Sequence, residues 1–165
     1  APSPMGLAGA LFGWMLLALL VLDLSHMWLP DRLTLPLLGL GLLFGAGTPV
    51  ERLLGALIGG GGFLLLALAY RILRGRDGLG LGDAKLMAGL GAWLSPPLIG
   101  PFILLSALLG LALALVRAAR ARRGSAATGA NRAGDDALSE PVPFGACLAA
   151  AAFPLWLAGQ AGAGV

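Results

Sequence analysis

Charge is scarce in this chain of 165 residues: Asp, Glu, Lys and Arg together make up 12%, against roughly 25% in ordinary soluble domains. Cysteine is nearly missing. Cys147 stands alone, which excludes an internal disulfide and a paired-cysteine metal site, and its apolar surroundings make it a small core residue. Histidine is as rare, with His26 the single example, so no cluster of nitrogen and sulfur ligands is available and neither metal nor organic cofactor is expected. No stretch reads GxxxxGK[ST] inside a βαβ pattern, which excludes a nucleotide-cradling loop. No polar region is long enough to form a soluble catalytic domain.

What is abundant is apolar. Hydrophobic residues make up 58% and mean hydropathy is +0.90, and apolar runs of roughly bilayer-spanning length recur along the chain. The expected fold is all-α, a single membrane-embedded domain over 1–165 with about six transmembrane helices, near 5–24, 32–47, 51–73, 84–95, 97–117 and 144–161. Pro30, Pro49, Pro96-Pro97 and Pro141/Pro143 mark the joints, where a missing N–H is tolerated. The first run has no basic flank before it and an aspartate after it, so it reads as a retained helix rather than a cleaved signal.

The basic residues set the topology. Arg32, Arg71, Arg74, Arg76, Lys85, Arg117, Arg120, Arg122, Arg123 and Arg132 fall at alternate joints, and Arg52 alone falls on the other side, beside Glu51. Positive loops stay cytoplasmic, so both termini are expected on the non-cytoplasmic face. The polar stretch 117–140 reads as a cytoplasmic loop whose arginines rest on anionic lipid headgroups. Membrane topology therefore accounts for a net charge of +3 without any nucleic-acid partner.

Some carboxylates remain to be explained. Asp23 ends the first helix in "VLDLSHMWLPDRLTLP", and a carboxylate at membrane depth costs roughly 2.5–3.5 kcal/mol, so it needs a partner or a task. Asp31, after Pro30, is placed to cap helix two. His26 is given no chemistry. Asp83 sits in "GLGLGDAKLMAG" before a helix too short to cross the bilayer. That places it below the membrane surface, where irregular backbone survives only inside protein or beside a water-filled cavity. Gly80 and Gly82 are expected to supply φ > 0 or close backbone approach there. The topology brings Asp23 and Asp83 to the same side of the membrane. Two facing carboxylates that share a proton and a water make an aspartyl-protease pair; buried carboxylates also serve proton-coupled transport, the rival reading. Lys85 lies off the Asp83 face and has three open roles: a lipid phosphate, an acidic partner, or a substrate carboxylate.

The glycines of "GALIGGGG" (55–62) are expected to form a helix-packing face, with Gly39, Gly41, Gly89, Gly91 and Gly110 in similar roles. Trp14, Trp28, Trp93 and Trp156 are expected as interfacial anchors near helix ends.

Three blocks in order, "LDLSHMWLPDRLTLPLLGLGLL" (22–43), "GLGLGDAKLMAGLGAW" (78–93) and "PVPFG" (141–145), resemble type IV prepilin peptidases, the GxGD kind of membrane aspartyl protease. The resemblance implies that Asp23 and Asp83 are catalytic and that no cofactor takes part. It implies substrates that are pilin or pseudopilin precursors, cleaved after a glycine, before a hydrophobic helix, at the cytoplasmic face of the bacterial inner membrane. It also makes Gly80, Gly82, Lys85, Asp31, Pro143, Phe144 and Gly145 candidates for shaping the site or binding substrate. Asp31, Asp77 and Glu140 are candidate partners for a basic leader. Ser25 and Ala146 depart from the residues common in the family. Without paired CxxC motifs the chain resembles the short, peptidase-only members, and methylation of the product is not expected.

Overall fold

A computed structural model describes residues 4–74, 80–128 and 143–162. They form an all-α, multi-pass membrane protein in which six helical rods follow one another without a strand among the described residues. Helix α1 spans Pro4–His26 and α2 spans Asp31–Phe44. The third rod is α3 (Pro49–Ala56), a π-helical segment (Leu57–Gly61) and α4 (Gly62–Arg74), continuous in backbone direction. Helices α5 (Leu81–Leu94), α6 (Pro96–Thr128) and α7 (Phe144–Gly162) complete the set.

Three segments are long and apolar enough to cross a bilayer, namely Gly6–His26, Pro49–Leu73 and Pro96–Arg120, and Phe144–Gln160 is a shorter apolar helix. Helices α2 and α5 have 14 residues each, and at 1.5 Å per residue each covers about 21 Å of a roughly 30 Å hydrocarbon core. Both are thus shorter than a spanning helix, and their N-terminal ends meet at the site described below.

Helix α5 is the axis of the bundle, packed on α2, α3, the π segment and α7. From Leu86 to Leu94 nearly every residue of α5 is buried, because small residues let its neighbours come close. A methyl group added at Gly55 would collide with the Gly91 carbonyl, and one at Gly91 with the Gly55 carbonyl. At Gly59 it would lie 2.6 Å from the Met87 carbonyl oxygen, and at Gly60 2.6 Å from Ala88 Cβ. The expected packing face is thus real at Gly55, Gly59 and Gly60. It stops there, since Gly61, Gly62 and Gly39 face open space.

Two tryptophans correct the sequence reading. Trp14 and Trp28 are 74% and 65% exposed, as anchors should be, but Trp93 is fully buried and Trp156 nearly so. Phe12 stacks on Trp93 with ring centroids 4.3 Å apart, and Trp156 meets both edge-on. The Trp93 indole N–H donates to the Leu37 carbonyl at 2.9 Å, which ties α5 to α2 and satisfies a polar group that would otherwise be costly in the core.

The far end of the bundle is knitted by short contacts. Thr48 and Glu51 form a reciprocal capping box at the start of α3, and Arg52 donates to the Leu43 and Gly47 carbonyls at 2.6 and 3.1 Å. Its isolated position on that side is explained by capping the last turn of α2. At the α5–α6 joint Ser95 has φ 64° and ψ 155°, a region that strongly favours glycine, and its hydroxyl donates to the Ala46 carbonyl at 3.1 Å.

Helix α6 runs on through Arg117 to Thr128, so the first half of the stretch read as a loop is helical. Alanine and arginine are strong helix formers, and this outweighs the polarity of "RAARARRGSAAT". Thirty-three residues at 1.5 Å each span about 50 Å, well beyond the hydrocarbon core. Asp77, Arg76, Arg132, Glu140 and Pro141 lie outside the described residues.

Candidate active site

One cleft of about 1090 Å³ gathers most of the candidates: Asp23, Asp31, Gly80, Gly82, Asp83, Lys85, Pro143 and Phe144 all line it, together with Met27–Pro30 and Arg32. Four helix ends build it, the last turn of α1 and the first turns of α2, α5 and α7. Asp23 and Asp83 are separated by 60 positions in sequence, and alternating helix direction returns them to one cleft.

Asp23 is 5% exposed, and its burial has a stated partner. The Ala146 backbone N–H donates to Asp23 Oδ2 at 2.7 Å. Ala146 lies in the first turn of α7, where backbone N–H groups have no intrahelical acceptor and the helix dipole favours a carboxylate. The side chain of α1 thus caps α7 and is held by it. Asp23 Oδ1 has no protein partner among the described residues.

Asp83 is placed differently. The helix expected from about residue 84 starts at Leu81 with Gly80 as the N-cap residue, so Asp83 belongs to its first turn rather than preceding it. Its carboxylate accepts no hydrogen bond among the described residues; the residue is partly buried and lines the cleft.

The glycines work by absence of bulk, not by positive φ. Among the described glycines only Gly47 has a left-handed φ, 78°. Gly80 has φ −70° and ψ 138°, which any residue adopts, and the nearest atom to an added methyl there is Asp83 Oδ2 at 3.8 Å. Gly82 is tighter, with Leu29 Cβ at 3.2 Å. Gly145 is tightest: an added methyl would lie 2.9 Å from Leu29 Cδ1 and 3.0 Å from Asp23 Oδ2. Leu29 escaped notice in the sequence because it reads as one more leucine. Its buried side chain touches both Gly82 and Gly145 and so sets the spacing between the first turn of α5, which carries Asp83, and the first turn of α7, whose N–H holds Asp23.

Asp31 is also corrected, and Lys85 takes one of its expected roles. Pro30 is the N-cap residue of α2 and no side chain caps it; Asp31, in the first turn, instead accepts from Lys85 Nζ through both oxygens, at 2.7 and 2.8 Å. Of the three roles left open for Lys85, the acidic partner is the one observed. His26 is exposed and lies outside the cleft lining. No group of three or more His, Cys, Asp or Glu suited to a metal ion occurs among the described residues.

A family profile described as the type IV leader peptidase family matches residues 10–115. The chain belongs to the type IV leader peptidase family. Among curated proteins it is 39% identical to a prepilin leader peptidase/N-methyltransferase of Aeromonas hydrophila over 96% of this chain and 50% of that protein. It is 37% identical to the leader peptidase HopD of Escherichia coli over 87% of each chain, and 40% identical to a prepilin leader peptidase/N-methyltransferase of Neisseria gonorrhoeae over 70% of this chain and 42% of that one. The chain spans about half the length of the two-function relatives it matches. No solved structure matches it. The comparisons point to peptidases and lend the transporter reading no support.

Proposed function

We propose that this protein is a membrane aspartyl endopeptidase that removes the leader of type IV prepilin-like precursors, with Asp23 and Asp83 as its catalytic pair. The observation that carries the reading is the single cleft with both carboxylates on its wall, one fixed by a backbone N–H and the other free to meet water. The pair works with one proton between its members. The ionised carboxylate takes a proton from water as the water oxygen attacks the scissile carbonyl carbon, and the protonated carboxyl donates to the carbonyl oxygen. Collapse of the tetrahedral intermediate then breaks the C–N bond, with the proton passing to the departing amine. The proton position belongs to the coupled pair rather than to either residue.

Arg32 lines the cleft, Arg71, Arg117 and Arg120 lie at the ends of the long apolar spans, and this excess of basic residues argues for the cytoplasmic face of the inner membrane. Both termini then lie on the opposite face. Apolar exposure over α1, α4 and α6 suits lipid and a substrate that itself carries an apolar segment. Pilin and pseudopilin precursors are the substrate class, and no cofactor is needed for the steps above.

The test is leader removal from a prepilin by the purified protein in detergent. Asp23→Asn and Asp83→Asn each remove one participant in acid–base transfer, for an expected loss of at least about 10²-fold. Undiminished cleavage by either variant refutes the pair.

A further inference from the structure

Between α1 and α2 the backbone ladder stops and restarts. The Met27 N–H donates to the Asp23 carbonyl at 2.9 Å, and the next backbone bond is Leu33 N–H to the Pro30 carbonyl at 3.0 Å. Trp28 and Leu29 have no backbone hydrogen bond among the described residues. Leu29 is buried, where unpaired backbone groups are rare, and Trp28 beside it is open to the cleft. Both residues line the cleft that holds Asp23 and Asp83.

The end of the segment is also held extended. Pro30 has φ −72° and ψ 134°, and the residue before a proline is driven toward extended backbone. Met27 turns the chain out of α1 with φ 50°, in the left-handed region that non-glycine residues seldom take. Leu29 pins the segment from behind, its side chain wedged against Gly82 and Gly145. The Trp28 side chain stays 65% exposed.

A peptide in a helix cannot be hydrolysed readily, since each carbonyl is engaged by an N–H four residues on and its carbon is shielded by the turn. A substrate must present extended backbone at the aspartates, and extended backbone in a membrane edge needs hydrogen-bond partners. We infer that Trp28–Leu29 is a pairing edge on which the substrate adds one short strand across the scissile bond, recognised through its backbone. This rests on the reading of Asp23 and Asp83 as the peptidase pair. It supplies what that reading lacks, a means of unwinding and orienting precursors of differing side chains.

Disulfide mapping tests it. Trp28→Cys is placed in the full chain with Cys147→Ala and Asp83→Asn, and oxidised with a prepilin carrying single cysteines scanned across the cleavage junction. Strand pairing puts side chains on alternate sides, so crosslinks should appear at every second substrate position. A period of three to four, or no crosslink from Trp28→Cys while a Gly80→Cys control crosslinks, overturns the inference. Silence from both positions overturns it too, since the substrate then does not lie along this wall. Leader removal in the same reactions reports separately on the pair: cleavage by the Asp83→Asn protein sinks the peptidase reading whatever the crosslinks show.

Discussion

Replacing Gly145 by alanine tests whether the site depends on space left for Asp23. The added methyl would lie 2.9 Å from Leu29 Cδ1, 3.0 Å from Asp23 Oδ2 and 3.1 Å from Asp23 Cγ, while ordinary contacts begin near 3.4 Å. The carboxylate must retreat by about half an ångström. The same movement stretches the 2.7 Å bond from the Ala146 N–H, a charge-assisted bond of about 1.5–3 kcal/mol. A 1 Å misplacement of a reacting group costs about 10²-fold, so the expected fall in kcat is about 10- to 100-fold with KM little changed. Overpacking costs about 1–3 kcal/mol, so the protein should still fold in detergent with a lowered Tm. Gly80→Ala is the control, because nothing lies closer than 3.8 Å to its added methyl: Tm and kcat should hold, and only KM should rise if substrate backbone passes there. Initial rates of leader removal at several prepilin concentrations separate the two. Equal kcat for wild type and Gly145→Ala, or a larger kcat loss in Gly80→Ala, refutes this account of the glycines.

The Asp31–Lys85 pair is about half-exposed on both sides, so Lys85→Ala should change stability by only about 0–1 kcal/mol; a Tm loss of many degrees in a thermal melt would contradict that. Exchange of the two charges, Asp31→Lys with Lys85→Asp, should recover whatever activity the single changes lose, measured by leader removal at low and high salt. Gly91→Ala drives a methyl into the Gly55 carbonyl and should destabilise by about 1–3 kcal/mol, visible as a Tm drop that Gly61→Ala, facing open space, does not share. At Ser95, alanine keeps the left-handed strain and loses the hydroxyl bond to Ala46, whereas glycine removes strain of about 1–3 kcal/mol; Ser95→Gly should therefore melt above Ser95→Ala.

Hydropathy made the bundle legible because each rod is an unbroken apolar run closed by a proline or a polar joint. Pro30, Pro49 and Pro96 do mark boundaries. The same signal misjudged the end of α6: polarity at Arg117–Thr128 measures transfer out of lipid, whereas helix formation follows backbone propensity, and alanine and arginine favour it in water as well. Trp93 and Trp156 were misplaced for a related reason. A tryptophan near a helix end is an anchor only where that end faces lipid, and α5 is packed on α2, α3, the π segment and α7, with Trp93 and Trp156 in one ring cluster with Phe12. Which helix occupies the axis is a property of six rods together, and no single stretch of sequence carries it.

At the site, charge in an apolar chain is conspicuous, so Asp23 and Asp83 stand out from composition alone. What holds them is not conspicuous. The donor to Asp23 is a backbone N–H at Ala146, identical in every residue type except proline, and only the arrival of α7 at the end of α1 makes it a partner. Leu29 sets the spacing through van der Waals contact, which leaves no mark in a sequence crowded with leucines. The glycines were legible as a motif; of the two roles expected of them, positive φ is not seen at Gly80 and Gly82 while close approach is seen at Gly82, because φ follows from the helix start at Leu81 and the clearance from where Leu29 rests. On the proposed reading, the two carboxylates work within a positioning shell made of backbone and aliphatic contact. Variants of that shell at Gly145 and Leu29 should therefore alter kcat without removing any titratable group.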